Sequence, residues 1–175
     1  MSVFVPPDDQ VSLGPPADPE SVARTICLRL LDRRARTRGE LASALRRKGV
    51  PDEAAERVLD RFTEVGLIDD RALANGYALA QHRERGLAGR AVAKKLRHRG
   101  VDEDTVRTAV EQIDPDSERD AACALASKRL TQLSGLEPLA QARRLVGLLA
   151  RRGYAPAMAH DVVRTLLAEV ELAEP

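Results

Sequence analysis

Three stretches share one pattern and decide the architecture: LASALRRKGV at 41–50, VAKKLRHRGV at 92–101 and LVGLLARRGY at 145–154. In each, an apolar residue is followed four positions on by a second (Leu45, Leu96, Leu149) and eight on by glycine (Gly49, Gly100, Gly153). Another apolar residue comes next (Val50, Val101, Tyr154). Apolar residues at i and i+4 describe a short amphipathic helix. Glycine after a basic last turn fits a left-handed C-terminal cap, where Arg and Lys also complement the helix dipole. The copies begin at 41, 92 and 145, so they recur at 51 and 53 residues.

Each copy is flanked in the same way. Downstream, a helix opens at Pro51-Asp52-Glu53, Asp102-Glu103-Asp104 or Ala155-Pro156, with proline or acids in its first turn. Its apolar positions recur as Ala55, Val58, Leu59, Phe62; then Val106, Ala109, Val110, Ile113; then Ala159, Val162, Val163, Leu166. Upstream lies a longer helix, over about 20–36, 70–85 and 117–133. Three helices per fifty residues bury too little surface to be sturdy alone, and stacked neighbours share the burial. The expected fold is all-α, an elongated tandem array of three three-helix repeats at 21–69, 70–116 and 117–175. The third repeat is expected to diverge, because its connection at 134–138 carries no base.

Local signals fix the connections. Thr37-Arg38-Gly39-Glu40 is a capping box between a long helix and a short one. In GLIDD at 66–70, Gly66 is placed to close one helix, Leu67 and Ile68 form an apolar pair, and Asp69 or Asp70 can cap the next helix. Residues 1–20 hold five of the ten prolines and four acids with no base. That composition reads as a disordered acidic tail.

Overall charge is +1, from 28 bases and 27 acids, but it is unevenly spread. Between 33 and 48 stand Arg33, Arg34, Arg36, Arg38, Arg46, Arg47 and Lys48 against Glu40 alone. Between 83 and 99 stand Arg83, Arg85, Arg90, Lys94, Lys95, Arg97 and Arg99 against Glu84 alone. Between 143 and 152 stand Arg143, Arg144, Arg151 and Arg152 with no acid. Acids concentrate in the third helix of each repeat instead, at Asp52, Glu53, Glu56, Asp60 and Glu64 and at Asp102, Glu103, Asp104 and Glu111, so a basic strip and an acidic strip are expected on different faces. One basic run describes a solvated face. Recurrence at equivalent positions favours a basic strip that meets phosphate or an acidic partner.

Other chemistry finds no support in the residues. His82, His98 and His160 lack metal-ligand spacing, and Asp69-Asp70 beside Gly66 is a cap rather than a carboxylate pair. Cys27 and Cys123 lie in helical text without a CxxC and are expected to be small buried residues. No secretory leader and no apolar run of membrane-spanning length are present. The expectation is a cytoplasmic, monomeric protein that is not an enzyme and needs no cofactor or metal.

With these residues laid out, the chain resembles the RecX family, regulators of the RecA recombinase. The match rests on GLIDD at 66–70, the following RALANGYALAQHR, and AVAKKLRHRGVDEDTV, repeated more loosely as RTRGELASALRRKGVPDEAAERVLDRFTEVG. It spans about 24–170. The chain departs from the family pattern in the helix after Asp70, where Leu73 and only Tyr77 stand in place of the usual aromatics. The resemblance implies an elongated, modular protein that binds the RecA filament on DNA and lowers its ATPase, co-protease and strand-exchange activities. Single- and double-stranded DNA would be bound without strong sequence preference. An alternative is a freestanding helix-turn-helix DNA-binding protein that reads through the short basic helices. Those helices offer Arg, Lys, Ala and Leu rather than the Asn and Gln suited to base edges, which favours phosphate contact.

Overall fold

The leucine and valine pairs of the three repeats sit at the centres of three helical bundles. Leu41 and Leu45, Val92 and Leu96, and Leu145 and Leu149 are all fully buried. The structure, a computed structural model, describes residues 18–173. Those residues form α1 (Pro19–Arg33), α2 (Arg38–Arg47) and α3 (Asp52–Glu64), then α4 (Asp70–Arg85), α5 (Gly89–His98) and α6 (Glu103–Glu111). Then come α7 (Pro115–Leu130), a 3-10 turn (Thr131–Leu133), α8 (Pro138–Arg151) and α9 (Pro156–Ala173). Among the described residues every regular element is helical, and the helices follow one another as a tandem series of three-helix bundles.

Each core is built from the positions the repeat marks. Ala23, Cys27, Leu41, Leu45, Val58, Leu59 and Phe62 close the first. Ala74, Ala78, Val92, Leu96, Val106 and Ala109 close the second, and Ala122, Ala126, Leu145, Leu149, Tyr154, Val162 and Val163 the third. The glycine after each short helix is left-handed, with φ of 73° at Gly49, 77° at Gly100 and 92° at Gly153. This turns Val50, Val101 and Tyr154 back into the core. Thr37 forms the full capping box with Glu40.

Several local expectations are corrected. The first helix begins at Pro19, with the Asp18 carboxylate accepting from the Ser21 N–H and Glu20 bonded to Arg57 at 2.5 Å, so 18–20 belong to the fold. Residues 1–17, the rest of the expected disordered tail, lie outside the described residues. Leu67 is half exposed while Ile68 is buried, so the two are not a matched pair. Cys27 is buried, and burial raises its thiol to about 11, but Cys123 is exposed on α7. The long helix of the third repeat ends at Leu130, and Gln141 amide bonds to the Leu133 and Leu136 carbonyls order the connection that follows.

Candidate nucleic-acid interface

The short helices of successive bundles meet end to end. At the first junction the C-terminus of α5 abuts the N-terminus of α2: the Thr37 hydroxyl donates to the Arg99 carbonyl at 2.5 Å. Gly39 and Gly100 touch backbone to backbone, and a Cβ on Gly39 would lie 2.8 Å from the Gly100 Cα. At the second junction the C-terminus of α8 abuts the N-terminus of α5, with the Ala88 N–H donating to the Arg152 carbonyl at 3.0 Å. Gly153 here approaches Ala91, where a Cβ would lie 2.6 Å from the Ala91 Cβ. In both places the negative end of one helix dipole meets the positive end of the next. The basic last turns of α5 and α8 are thereby carried onto a surface shared with the following short helix.

The first junction is ionic. Arg99 grips Glu40 through Nε at 3.0 Å and Nη2 at 3.3 Å, and its guanidinium lies 5.0 Å from the Tyr77 ring centroid. Burial raises the Glu40 pKa, but the Arg99 hydrogen bond, the Thr37 N–H and the charges of Arg99 and Arg34 outweigh it, leaving the carboxyl below its usual value. Asp70, the second aspartate of GLIDD, does not cap its own helix. Asp69 does, accepting from the Ala72 N–H at 2.8 Å. Asp70 instead reaches across the junction to accept the Arg38 N–H at 2.8 Å. Burial and the nearby Asp102 charge raise its pKa, against the Arg38 N–H and the charges of Arg38 and Arg99.

These contacts sort the eighteen bases singled out in the sequence. Arg99 and Arg152 are held inside junctions, Arg99 by Glu40 and Arg152 by the Arg85 carbonyl. Arg38 turns toward the acids of α3, bonding Glu56 and Asp60, and Arg97 is forked onto Glu103. Arg34 lies 3.6 Å from Glu40, and Arg46 lies 4.0 Å from Asp52. The separate acidic strip read from the sequence is therefore partly folded back onto the basic one. Among the described residues, Arg33, Arg36, Arg47, Lys48, Arg83, Arg85, Arg90, Lys94, Lys95, Arg143, Arg144 and Arg151 have no acidic partner.

Three clefts gather bases along the array. Arg36, Arg47, Arg97 and Arg99 line one of about 360 Å³ at the first junction, where the Arg36 Nε is enclosed without a protein partner. Arg83, Arg85, Lys95 and Arg152 line one of about 630 Å³ at the second, joined by Lys128 from α7. Arg143, Arg144 and Arg151 line one of about 570 Å³ between α7 and α8, joined by Arg129. Arg33, Arg34, Arg46, Lys48, Arg90 and Lys94 lie outside these clefts, and Arg38 sits in a shallow one beside Asp60 and Glu64. Lys128 and Arg129 were not marked by the repeat, since α7 is the long helix of its bundle; only their place in a basic last turn hints at them. No group of three or more His, Cys, Asp or Glu among the described residues could hold a metal ion. No helix among them is long and apolar enough to cross a membrane.

Known proteins share this organisation. The family model described as RecX, first three-helix domain, matches residues 23–62, and that described as RecX, second three-helix domain, matches 69–110. "Regulatory protein RecX" of Thermobifida fusca is 50% identical over 157 residues, covering 86% of this chain and 85% of that protein. Its counterpart in Streptomyces coelicolor is 48% identical over 155 residues, covering 89% and 82%. The crystal structure of RecX from Lactobacillus salivarius superposes with a TM-score of 0.76 at 19% identity, covering 90% of this chain and 99% of that one. Its likeness is one of fold. With tandem three-helix bundles, both family domains in order and relatives near half identity along most of its length, the chain belongs to the RecX family.

Proposed function

We propose that this protein is a non-enzymatic regulator that binds a RecA filament on DNA and lowers its ATPase, co-protease and strand-exchange activities. It works in the cytoplasm as a monomer, in recombination and DNA repair. The observation that carries this reading is the end-to-end joining of α8, α5 and α2, which brings bases of neighbouring bundles together at both junctions, Lys95 with Arg152 and Arg36 and Arg47 with Arg97 and Arg99, so that a basic surface follows the array. Arg90, Lys94 and Lys95 of α5 lie at its middle, exposed and without acidic partners among the described residues. Such a surface suits the phosphate backbone of single- or double-stranded DNA, read without strong sequence preference. Family membership supports the recombinase as the partner.

A titration of the protein into the RecA of its own organism, with single-stranded DNA and ATP, tests the proposal. Suppression of DNA-stimulated ATP hydrolysis at well under one protein per recombinase indicates capping of filament ends, and suppression only near equivalence indicates coating. Absence of inhibition, together with binding confined to one duplex sequence, would replace the proposal with a freestanding helix-turn-helix DNA-binding protein.

A further inference from the structure

The third bundle carries a surface that the other two lack. In the first two bundles the N-terminal half of the short helix receives the C-terminal end of the next short helix, through Gly39 and Gly100 and through Ala91 and Gly153. The same half of α8 holds Arg143 and Arg144. In the first two bundles, acids of the third helix or the loop before it neutralise part of the basic run, as Glu56 and Asp60 do for Arg38 and Glu103 does for Arg97. In the third, α8 contains no acid, and Asp161 of α9 is taken by Arg119 and Arg164. Arg129, Arg143, Arg144 and Arg151 thus line a groove, with Ala140 and Gly147, whose wall holds no acid among the described residues. The Arg129 guanidinium bonds Gln132 and, among the described residues, no acid.

Charge decides the occupant. Another copy of this chain could offer the unreceived end of its α2, but that end is Arg46-Arg47-Lys48, and four arginines repel it. The groove calls for an anion. Arg143 and Arg151 are eight positions apart on one helix, roughly 12 Å at the usual rise, which suits a chain of charges rather than a single small ion. Guanidinium groups fork onto phosphate oxygens, two N–H bonds at a time.

We propose that this four-arginine groove between α7 and α8 is a phosphodiester-binding subsite that holds a segment of nucleic acid strand at the far end of the array. The assignment rests on the nucleic-acid reading of the basic surface and adds to it a site of its own, with Arg129 as a contact outside the repeat pattern.

The test is anisotropy of a labelled mixed-sequence single strand across a salt series, with the full chain. The variants are R129A/R143A/R144A, the same three positions as Lys, and R90E/K94E. The triple alanine variant should bind about tenfold or more weakly, and its log–log salt slope should be shallower by about 2, near 0.7 for each of three lost contacts. The lysine variant should keep the slope, which reports charge, and unchanged helicity in both serves as the folding control. Wild-type affinity and slope in the folded alanine variant, with binding lost in R90E/K94E, would overturn the groove and leave the basic surface standing. Failure of the wild-type protein to bind the strand even at low salt would overturn both. Binding of polyglutamate but not of the strand, abolished by the alanine variant, would reassign the groove to an acidic protein segment.

Discussion

The two junctions between bundles solve one geometric problem with different chemistry. At the first, Arg99 is clamped by Glu40 and stacked on Tyr77, Asp70 reaches across to the Arg38 N–H, and two glycines touch. At the second, no ion pair crosses among the described residues. The Tyr154 hydroxyl donates to the Gly86 carbonyl at 3.1 Å, the Glu118 carboxylate accepts the Gly89 N–H at 2.6 Å, and His82 bridges the Leu87 carbonyl and the Ser117 hydroxyl. Because its Nδ1 faces a carbonyl, which only accepts, that nitrogen donates. Ala88, from the second bundle, is also buried within the third core. The repeat supplies the shared geometry of glycine cap and helix end, and the residue types that differ between its copies, with the partners they meet, give each junction its chemistry.

Glycine substitutions should break the comparison most sharply. Gly49, Gly100 and Gly153 are repeat equivalents with φ between 73° and 92°, yet their surroundings differ. A Cβ at Gly153 would lie 2.7 Å from the Ala91 amide nitrogen, one at Gly100 would lie 2.9 Å from the Gly39 Cα, and one at Gly49 meets nothing within 4 Å. Gly153→Ala should therefore cost on the order of 2–4 kcal/mol, left-handed strain plus overpacking, with Gly100→Ala close behind. Gly49→Ala should cost only about 1–2 kcal/mol, the left-handed strain alone. Urea unfolding of the three variants gives the ranking, and equal costs would remove the junctions from it.

Side chains at the junctions should give the next largest effects. Arg99→Ala leaves the partly buried Glu40 without its fork and should cost about 1–3 kcal/mol. Arg99→Lys should recover little of that, since an ammonium lacks both the fork and the stack. Tyr154→Phe removes one neutral hydrogen bond, at about 0.5–1.5 kcal/mol. Raised salt should narrow the gap between wild type and Arg99→Ala while leaving that of Tyr154→Phe unchanged. Thermal melts at low and high salt would show whether the two junctions separate in this way.

The smallest effect should be on pH. Glu40 has a depressed folded pKa, so its contribution is present above the usual carboxylate value of 4.5 and is lost as pH falls through its lower folded value. Asp70 has a raised folded pKa, so protonation on acidification relieves its burial and acts in the opposite direction, beginning above its ordinary 3.8. The first junction should thus hold through mild acid and loosen only as pH falls below the ordinary carboxylate value toward the lower folded value of Glu40. Amide exchange across α2 and α5 as pH is lowered, corrected for intrinsic rates, would report it. Loosening already near pH 6 would contradict the pairing.

The bundles were legible in the sequence because their determinants are local. Leu41 with Leu45, the glycine at i+8 and the Thr37 capping box act within a few residues, and periodicity exposes them. Arg99 was not legible in its true role. Its partners Glu40 and Thr37 are 59 and 62 residues away, and in sequence it looks the same as the free bases around it. Asp70 likewise reads as a cap, yet serves the preceding bundle. Cys123 lies in apolar helical text but on the outer side of α7, a side that the Ala-rich α7 does not announce. Arg129 is not legible as part of the groove because it stands on a different helix from the arginines it joins. The basic surface was legible as charge, whereas which bases are spent on the fold and which stay open is set by contacts between bundles.

Charge reversal at the middle of the basic surface tests the central claim most directly. Arg90 and Lys94 are exposed on α5, off the buried Val92 and Leu96 stripe, and make no ion pair among the described residues. Replacing both with Glu should change stability by only about half a kcal/mol. The measurement is inhibition of RecA strand exchange by R90E/K94E, with circular dichroism and melting temperature as the folding control. The expected result is a folded protein whose inhibition is abolished, and full inhibition by the folded double variant would contradict the account.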